Sequence, residues 1–208
     1  MAAITSDQGL NGNNPEFDNG AFWDLRYMEN PVLGSGVGSR GENLRHKRKI
    51  IECFLEASLP KTILDVGCGD HEVLKDVAMS DYTGVDVSAL VVARNRKRFP
   101  HRRFECMDFA TWIDLQVLRS DVVLCMEVLI HQHRREAYER LARNLVAAAL
   151  RGGLVSGYMF DPRPTIASKI IAWHEPITDT FLRAGARSVV TEAVSLESGC
   201  LAFVSFRI

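Results

Sequence analysis

The stretch ILDVGCGD, residues 63–70, decides the fold of this chain. A short apolar run that ends in glycine is typical of a buried parallel strand that turns into the next element. From Lys61 onward, strand-like apolar runs alternate with amphipathic helical patterns, which predicts a mostly parallel α/β sheet with helices on both faces. A turn signal at 197–199 predicts a closing hairpin, so that one of the last strands runs antiparallel.

The same patterns divide the chain into regions and elements. Residues 1–20, rich in Asn, Gly and Asp, are expected to be a disordered tail. Residues 21–60 are expected to form a helical cap, and residues 61–208 the main domain. Strands are predicted at 62–67, 82–88, 102–108, 121–127, 153–159, 187–194 and 200–207, and helices at 42–57, 71–79, 89–98, 110–118, 134–150 and 176–184.

Composition argues against several classes of function. The 25 basic and 26 acidic residues leave a net charge of −1, which does not favour nucleic acid or an anionic membrane as a partner. The first residues lack the basic start and apolar core of a signal peptide, and no apolar run approaches the ~20 residues that span a bilayer. Five scattered cysteines without a C-x-x-C pair argue against a zinc site and favour a reducing, cytoplasmic setting.

Polar or glycine residues end four successive predicted strands. Gly67 permits a tight turn, and Gly69 lets the backbone approach a ligand closely. A dinucleotide site would have glycine or alanine where Glu72 stands. Acidic side chains at this turn repel a phosphate but receive an ammonium, so the turn favours a ligand with an amino group and no phosphate.

Two further acids suit an adenosine. Asp86, at the end of the second strand, has a carboxylate that accepts hydrogen bonds from both ribose hydroxyls, although a helix N-cap is the alternative role. Asp108, at the end of the third strand, offers an oxygen to an adenine amino group. Phe109 packs beside the adenine ring in this interpretation, or else in the core.

ILDVGCGD, the acid in GVDVS (84–88), the acid in CMDF (106–109) and DVVLCMEVLIHQ (121–132) resemble, in order and spacing, the signature segments of class I methyltransferases that use S-adenosylmethionine (SAM). The resemblance covers about residues 61–160. It implies a Rossmann-like three-layer α/β sandwich, with a seven-stranded sheet in the order 3-2-1-4-5-7-6 and an antiparallel last strand. It also implies SAM as cofactor and S-adenosylhomocysteine (SAH) as product. The implied cofactor-binding residues are Asp65, Gly67, Cys68, Gly69, Asp86, Val87, Asp108, Phe109 and Met126.

The resemblance further implies that the acceptor site is built from the N-terminal segment and the loops after strands four and five. Residues 21–60 then serve as an acceptor lid. The glycine-rich stretch 33–41 and its basic neighbours favour an anion, either the SAM carboxylate or an acidic acceptor, with a flexible hinge as the alternative. DPRP (161–164) and WHEP (173–176) bracket either an acceptor wall or a surface connection. The acceptor-side candidates are Trp23, Arg26, Tyr27, Arg40 and His133.

Two residues after the fourth strand are candidates for catalysis. His131 is a possible general base because imidazole titrates near neutral pH, with a structural hydrogen bond as the alternative. Glu127 lies four residues earlier, and on a helix the two side chains would share a face that could bind a metal with distant ligands. Ile130 stands where some RNA-end methyltransferases of this class carry a second acid, so no metal is expected.

The favoured function is direct SN2 transfer of a methyl group from SAM to a small polar or anionic acceptor, to oxygen rather than nitrogen, because of the basic N-terminal cluster. One alternative is an RNA- or protein-modifying methyltransferase, for which the basic strip 94–103 is the motive. The other is a non-catalytic SAM-binding partner subunit. Whether the protein is a monomer or a homodimer stays open.

Overall fold

A single seven-stranded sheet organises the chain. The computed structural model describes residues 18–79, 81–111, 118–160, 175–196 and 199–208. The strand order is β3-β2-β1-β4-β5-β7-β6, and β7 runs antiparallel to both of its neighbours. The predicted Rossmann-like sheet is therefore confirmed, including its order. The strands are β1 Thr62–Val66, β2 Asp81–Asp86, β3 Arg103–Cys106, β4 Ser120–Cys125, β5 Ala149–Tyr158, β6 Ser188–Val194 and β7 Leu201–Arg207.

Helices cover both faces of the sheet. Successive strand residues point to opposite faces, so Leu64 and Val66 of β1 pack with one set of helices while Ile63 packs with the other. The Leu64 face packs against α4 and α5, and the Ile63 face against α1, α2 and α3. The helices are α1 Asn19–Glu29, α2 Gly41–Ser58, α3 Ala89–Arg98, α4 Arg135–Ala148 and α5 Ile177–Arg183, with short 3-10 helices at Val37–Ser39 and Leu129–His131.

The helix predicted at 71–79 is wrong, since this segment runs through turns. His71 adopts a left-handed backbone conformation with φ of 62°, which interrupts a helix at its first turn. Two arginine side chains then satisfy the carbonyls that a helix would pair internally. Arg48 donates to the carbonyls of Glu72 and Val73, and Arg102 to those of Leu74, Lys75 and Val77.

Several sequence predictions lie outside the described residues. They are the tail up to residue 17, the central part of the helix at 110–118, the turn residues 197–198, and the loop segments DPRP (161–164) and Trp173-His174. The sequence pattern does not predict α1, the first described helix, as a separate element. It begins at Asn19, with Asp18 as its N-cap. Within the described ranges, no helix is long and apolar enough to cross a membrane.

Candidate functional site

One cleft lies where strands β1, β2 and β4 end. Its empty volume, counted out to open solvent, is about 1040 Å³. The carboxyl ends of parallel strands form its floor, the usual ligand position in open α/β sheets, and side chains from α1 and α2 contribute to its walls. Glu127 and His131 line it as well. So do all the residues predicted to bind the cofactor: Asp65, Gly67, Cys68, Gly69, Asp86, Val87, Asp108, Phe109 and Met126.

The glycine turn after β1 is held by backbone bonds and by close neighbours. The amides of Gly67 and Cys68 both donate to the carbonyl of Val85, at 2.8 and 3.0 Å. Gly67 has φ of 74° and Gly69 has φ of 53°, conformations that favour glycine. A Cβ on Gly69 would lie 2.3 Å from Ser35 Oγ. The space that Gly69 leaves is thus taken by the cap, a role that the sequence pattern did not indicate.

Asp86 is fixed at the end of β2 by two backbone donors. Its Oδ2 accepts from the amide of Gly69 and its Oδ1 from the amide of Ser88, both at 2.9 Å. Burial raises the pKa of Asp86 to about 6, although these two hydrogen bonds oppose the shift. Because each carboxylate oxygen has two lone pairs, the side chain is oriented and still able to accept a hydrogen bond from a ligand in the cleft.

Asp65 is the second buried acid of the cleft. It is 5% exposed, and its Oδ2 accepts a hydrogen bond of 2.8 Å from the hydroxyl of Tyr82. Burial raises the pKa of Asp65 to about 7, while the bond from Tyr82 lowers it. A carboxyl of this kind binds a cation readily, because a nearby positive charge restores its ionised form.

The cap is latched onto the glycine turn through Asp70. The amide of Ser35 donates to Asp70 Oδ2 at 3.1 Å, and the amide of Asp70 donates back to Ser35 Oγ at 3.0 Å. Arg40 forms an ion pair with the same carboxylate. Tyr27 Oη lies 3.1 Å from Ser35 Oγ, and Arg94 donates to the carbonyl of Tyr27. The glycine-rich stretch is therefore fastened to the main domain by a protein carboxylate, Asp70.

A buried ion pair joins α2 to the end of β4. Lys47 is 2% exposed, and its Nζ lies 2.7 Å from Glu127 Oε1 and 3.3 Å from Ser39 Oγ. Glu127 has φ of 59°, and its amide donates to Ser156 Oγ at 2.7 Å. A Cβ on Gly38 would lie 2.2 Å from Glu127 Oε2, so the cap fits directly over this carboxylate.

The proposed helix face shared by Glu127 and His131 does not form. The left-handed conformation of Glu127 directs it to Lys47, while His131 ends the short 3-10 helix and contacts Trp23. Among the described residues, no three His, Cys, Asp or Glu side chains lie together as a metal-binding group. The sequence missed the role of Lys47, although its position four residues before Ile51 places it on the buried stripe of α2.

Aromatic and basic groups surround the mouth of the cleft. The rings of Trp23 and His131 are 5.2 Å apart in an edge contact, and the Arg26 guanidinium lies 5.6 Å from the Trp23 ring. The Nε of Arg26 is buried without a hydrogen-bond partner. Burial, together with the charge of Arg26, lowers the pKa of His131 to about 4, so its imidazole is neutral at pH 7.

The other predicted residues divide between the cleft and its surroundings. Trp23 and Tyr27 line the cleft, whereas Arg26, Arg40 and His133 are not among its lining residues. Burial lowers the pKa of His133. The wall near β3 is formed in part by Asp108, whose Oδ1 accepts from the amide of Ala110 at 2.9 Å, and by Phe109, which is also part of the core. Both interpretations of Phe109, ligand wall and core, thus fit its position.

The comparisons with protein families and with curated proteins both match this chain to methyltransferases. The family model described as "Methyltransferase domain" matches residues 64–155. The chain is similar to a trans-aconitate 2-methyltransferase from Variovorax paradoxus (strain S110), with 28% identity over 141 residues. This alignment covers 61% of the chain and 52% of the relative, so the chain spans about half the length of the curated relative that it matches.

Solved structures match over most of the chain. The magnesium protoporphyrin IX methyltransferase from Synechocystis PCC 6803 with bound SAH is similar with a TM-score of 0.69 and 17% identity, covering 90% of this chain and 97% of that one. The N-methyltransferase NodS from Bradyrhizobium japonicum WM9 is similar with a TM-score of 0.63 and 14% identity, covering 81% of this chain and 98% of that one. At these identities, the likeness concerns the fold.

Proposed function

We propose, on the premise that this chain belongs to the class I SAM-dependent methyltransferases, that it transfers a methyl group from SAM to an oxygen atom of a small anionic acceptor. The observation that carries this proposal is the convergence of Asp65, Gly67, Asp86 and Asp108 from the ends of three successive strands on one cleft. The cap residues 21–60 are the acceptor lid in this proposal.

The residues present fit SAM. Asp65 offers a buried carboxylate to the ammonium, and Asp86 offers oriented oxygens to the ribose hydroxyls. The Oδ1 of Asn19 is buried without a hydrogen-bond partner, and Asn19 lines the same cleft. A buried acceptor without a donor is costly unless a ligand pairs with it. The cleft therefore matches a ligand that carries an ammonium and several hydroxyl or amino donors.

The mouth of the cleft supports an anionic acceptor. The unpaired Nε of Arg26 is a donor directed at none of the described protein groups, and the neutral His131 beside Trp23 accepts or donates without adding charge. A carboxylate acceptor needs no general base, which agrees with the low pKa of His131. The similarity to a trans-aconitate 2-methyltransferase supports the same class of acceptor.

The chain's own contribution is positioning. SAM supplies an electrophilic methyl group that needs an aligned nucleophile. Trp23 and Tyr27 from α1 form part of the wall of the cleft, and the Ser35–Asp70 latch holds the cap against the glycine turn. A closed cap excludes water and fixes the acceptor. Such positioning lowers the activation barrier of a two-substrate reaction by several kcal/mol, about 7–11 at best.

The test combines binding with product analysis. Calorimetry with SAM is compared for the wild type, for Asp86→Asn, and for Asp81→Asn, an exposed acid at the other end of the same strand. We expect SAM binding to be lost only in Asp86→Asn. Incubation with methyl-labelled SAM and a panel of di- and tricarboxylates, trans-aconitate included, is then read by product mass.

Each outcome has a defined meaning. A methyl ester in this panel supports the proposed acceptor class. Label found only on amines, or only on RNA or protein, would replace the acceptor with one of those classes. SAM binding without any labelled product from small-molecule, RNA and protein pools would identify a non-catalytic SAM-binding subunit.

A further inference from the structure

Two buried side chains, Tyr82 and His71, connect Asp65 to the guanidinium of Arg102. We propose that Tyr82 and His71 are positioning residues that, together with Arg102, form a one-way hydrogen-bond chain presenting the Asp65 carboxylate to an ammonium group in the cleft. That this ammonium is the amino group of SAM rests on the proposed function, whereas the hydrogen-bond chain from Arg102 to Asp65 does not.

The contacts are continuous. Tyr82 Oη lies 2.8 Å from Asp65 Oδ2 and 3.1 Å from His71 Nδ1. The other ring nitrogen of His71, Nε2, contacts Nη1 of Arg102. Asp65, Tyr82 and His71 are all at most 5% exposed, so bulk water does not compete for these bonds. No second donor among the described residues reaches the Asp65 carboxylate, which leaves its other oxygen for the cleft.

The chemistry of the groups fixes the direction of every bond. A guanidinium has only donors, so His71 Nε2 must accept from Arg102. The neutral imidazole then carries its proton on Nδ1 and donates to the oxygen of Tyr82. The Tyr82 hydroxyl is left to donate to Asp65. Burial, followed by the charges of Arg102 and Arg98, lowers the pKa of His71 to about 3, which keeps this ring in the neutral form.

The fold makes room for this chain at Gly84. Gly84 is the partner of Asp65 in the β1–β2 register. A Cβ on Gly84 would lie 2.7 Å from Tyr82 Oη and 2.9 Å from Phe104 Cδ1, and glycine therefore allows the hydroxyl to reach across to β1. The left-handed conformation of His71 places its ring within 5.3 Å of the Tyr82, Phe99 and Phe104 rings. This closed aromatic surround leaves the ring few other hydrogen-bond partners.

Charged and titratable groups face both ends of the chain. The groups around Asp65 are Tyr82 and Asp86 from β2, Lys47 from α2, Cys68 from the glycine turn and Cys125 from β4. Those around His71 are Arg102, Arg98, Asp70 and Glu72. Burial and the charge of Asp86 disfavour the ionised form of Asp65. The hydrogen bond from the Tyr82 hydroxyl favours that form, and its effect on the pKa is larger than that of the Lys47 charge. The hydrogen bond from Tyr82 thus orients the Asp65 carboxyl and favours its ionised form against the effect of burial.

The first experiment needs no variant. Nitrogen-15 NMR of the His71 ring in the ligand-free wild type reports which nitrogen carries the proton. We expect the Nδ1–H tautomer from pH 6 to pH 8. The Nε2–H tautomer or a charged imidazolium in that range would overturn the proposed chain.

The second experiment removes one hydroxyl. Carbon-13 NMR follows the Asp65 carboxyl titration in ligand-free wild type, in Tyr82→Phe and in the control Tyr138→Phe, which loses a buried hydroxyl in the core beside α5. We expect the Asp65 pKa to rise in Tyr82→Phe and to stay unchanged in Tyr138→Phe. A folded Tyr82→Phe protein with an unchanged Asp65 titration would refute the positioning role.

Ligand binding separates this inference from the proposed function. We expect SAM affinity at pH 7 to fall about tenfold in Tyr82→Phe, as for loss of a hydrogen bond to a charged group. The loss of affinity should be smaller at pH 8.5, where a larger fraction of Asp65 is ionised in the variant than at pH 7. An equal loss at both pH values would indicate a merely structural role. If the wild type does not bind SAM, the proposed function fails. The two NMR experiments on His71 and Asp65 still decide whether the hydrogen-bond chain exists.

Discussion

The ion pair between Lys47 and Glu127 gives the sharpest test of how the cap is held. The Lys47 side chain is 3% exposed and that of Glu127 is 20% exposed, with 2.7 Å between Nζ and Oε1. Removing one partner of a buried pair destabilises a protein by about 3–5 kcal/mol, because the other charge stays buried and unpaired. Glu127→Gln leaves the more deeply buried charge, that of Lys47, without its partner. We expect the free energy of unfolding to fall by about 3 kcal/mol, at the lower end of this range because the amide oxygen still accepts a hydrogen bond.

The reverse variant should cost less. Lys47→Met leaves a carboxylate that is one-fifth exposed and can be hydrated, so we expect a loss of about 2 kcal/mol. The double variant should then lose less than the two single losses combined, by about 2 kcal/mol, since neither charge is left alone. Urea unfolding at pH 7 measures all four free energies, and a loss of 3 kcal/mol should lower the Tm by about 9 °C in a chain of this size.

An exposed pair on the same helix provides the control. Glu42 and Arg45 are 3.8 Å apart with side chains 83% and 70% exposed, and a cycle of Glu42→Gln and Arg45→Met should show no measurable coupling. Strict additivity of the Lys47 and Glu127 variants would refute the reasoning, because it would mean that the two charges do not depend on each other for their burial.

Three further outcomes follow from the cleft. Gly38→Ala should displace the Glu127 carboxylate and destabilise the protein by about 2 kcal/mol in urea unfolding, whereas Gly199→Ala, which meets open space, should not. Asp65→Asn should stabilise the ligand-free protein by about 4 kcal/mol at pH 8, because a folded pKa of about 7 against an unfolded value near 4 makes the wild type lose stability as the pH rises from 4 to 7. Equal stability of the two proteins at pH 8 would contradict this, and SAM binding should be lost. Trp23→Ala should raise the acceptor KM about tenfold with SAM affinity nearly unchanged, and a selective loss of SAM affinity would move Trp23 to the cofactor side.

The sheet could be predicted because its information is local in the chain. Each buried parallel strand is a short apolar run, and the turn residues Gly67, Asp86 and Asp108 follow such runs directly. The order of the strands came from the resemblance to a family, and the structure confirms it. The carboxyl ends of the parallel strands β1 to β4 lie at the same edge of the sheet, so the predicted cofactor residues meet in one cleft without further assumptions.

The segment after the glycine turn shows where local patterns fail. Residues 71–79 have the composition of a helix, but their carbonyls are satisfied by Arg48 and Arg102, which are distant in sequence. The backbone pairs with whatever donors the fold supplies, and helix propensity is too weak to override them. The left-handed conformation of His71, which accompanies its buried ring contacts, is likewise not indicated by the local sequence.

What the sequence by itself determined is the sheet, the cleft and the acids at its strand ends, since these depend on periodicity and on glycine and aspartate at fixed points. Only the tertiary structure decided how the cap meets the main domain. Asp70 binds Ser35 and Arg40, Lys47 binds Glu127, and Tyr82 connects Asp65 to His71. These partners are separated by 11 to 80 positions in the chain. Polar side chains pair according to distance and burial in space, which no local pattern records. The stretch ILDVGCGD thus fixes where the cleft lies, while contacts from elsewhere in the chain decide how its acids are oriented and charged.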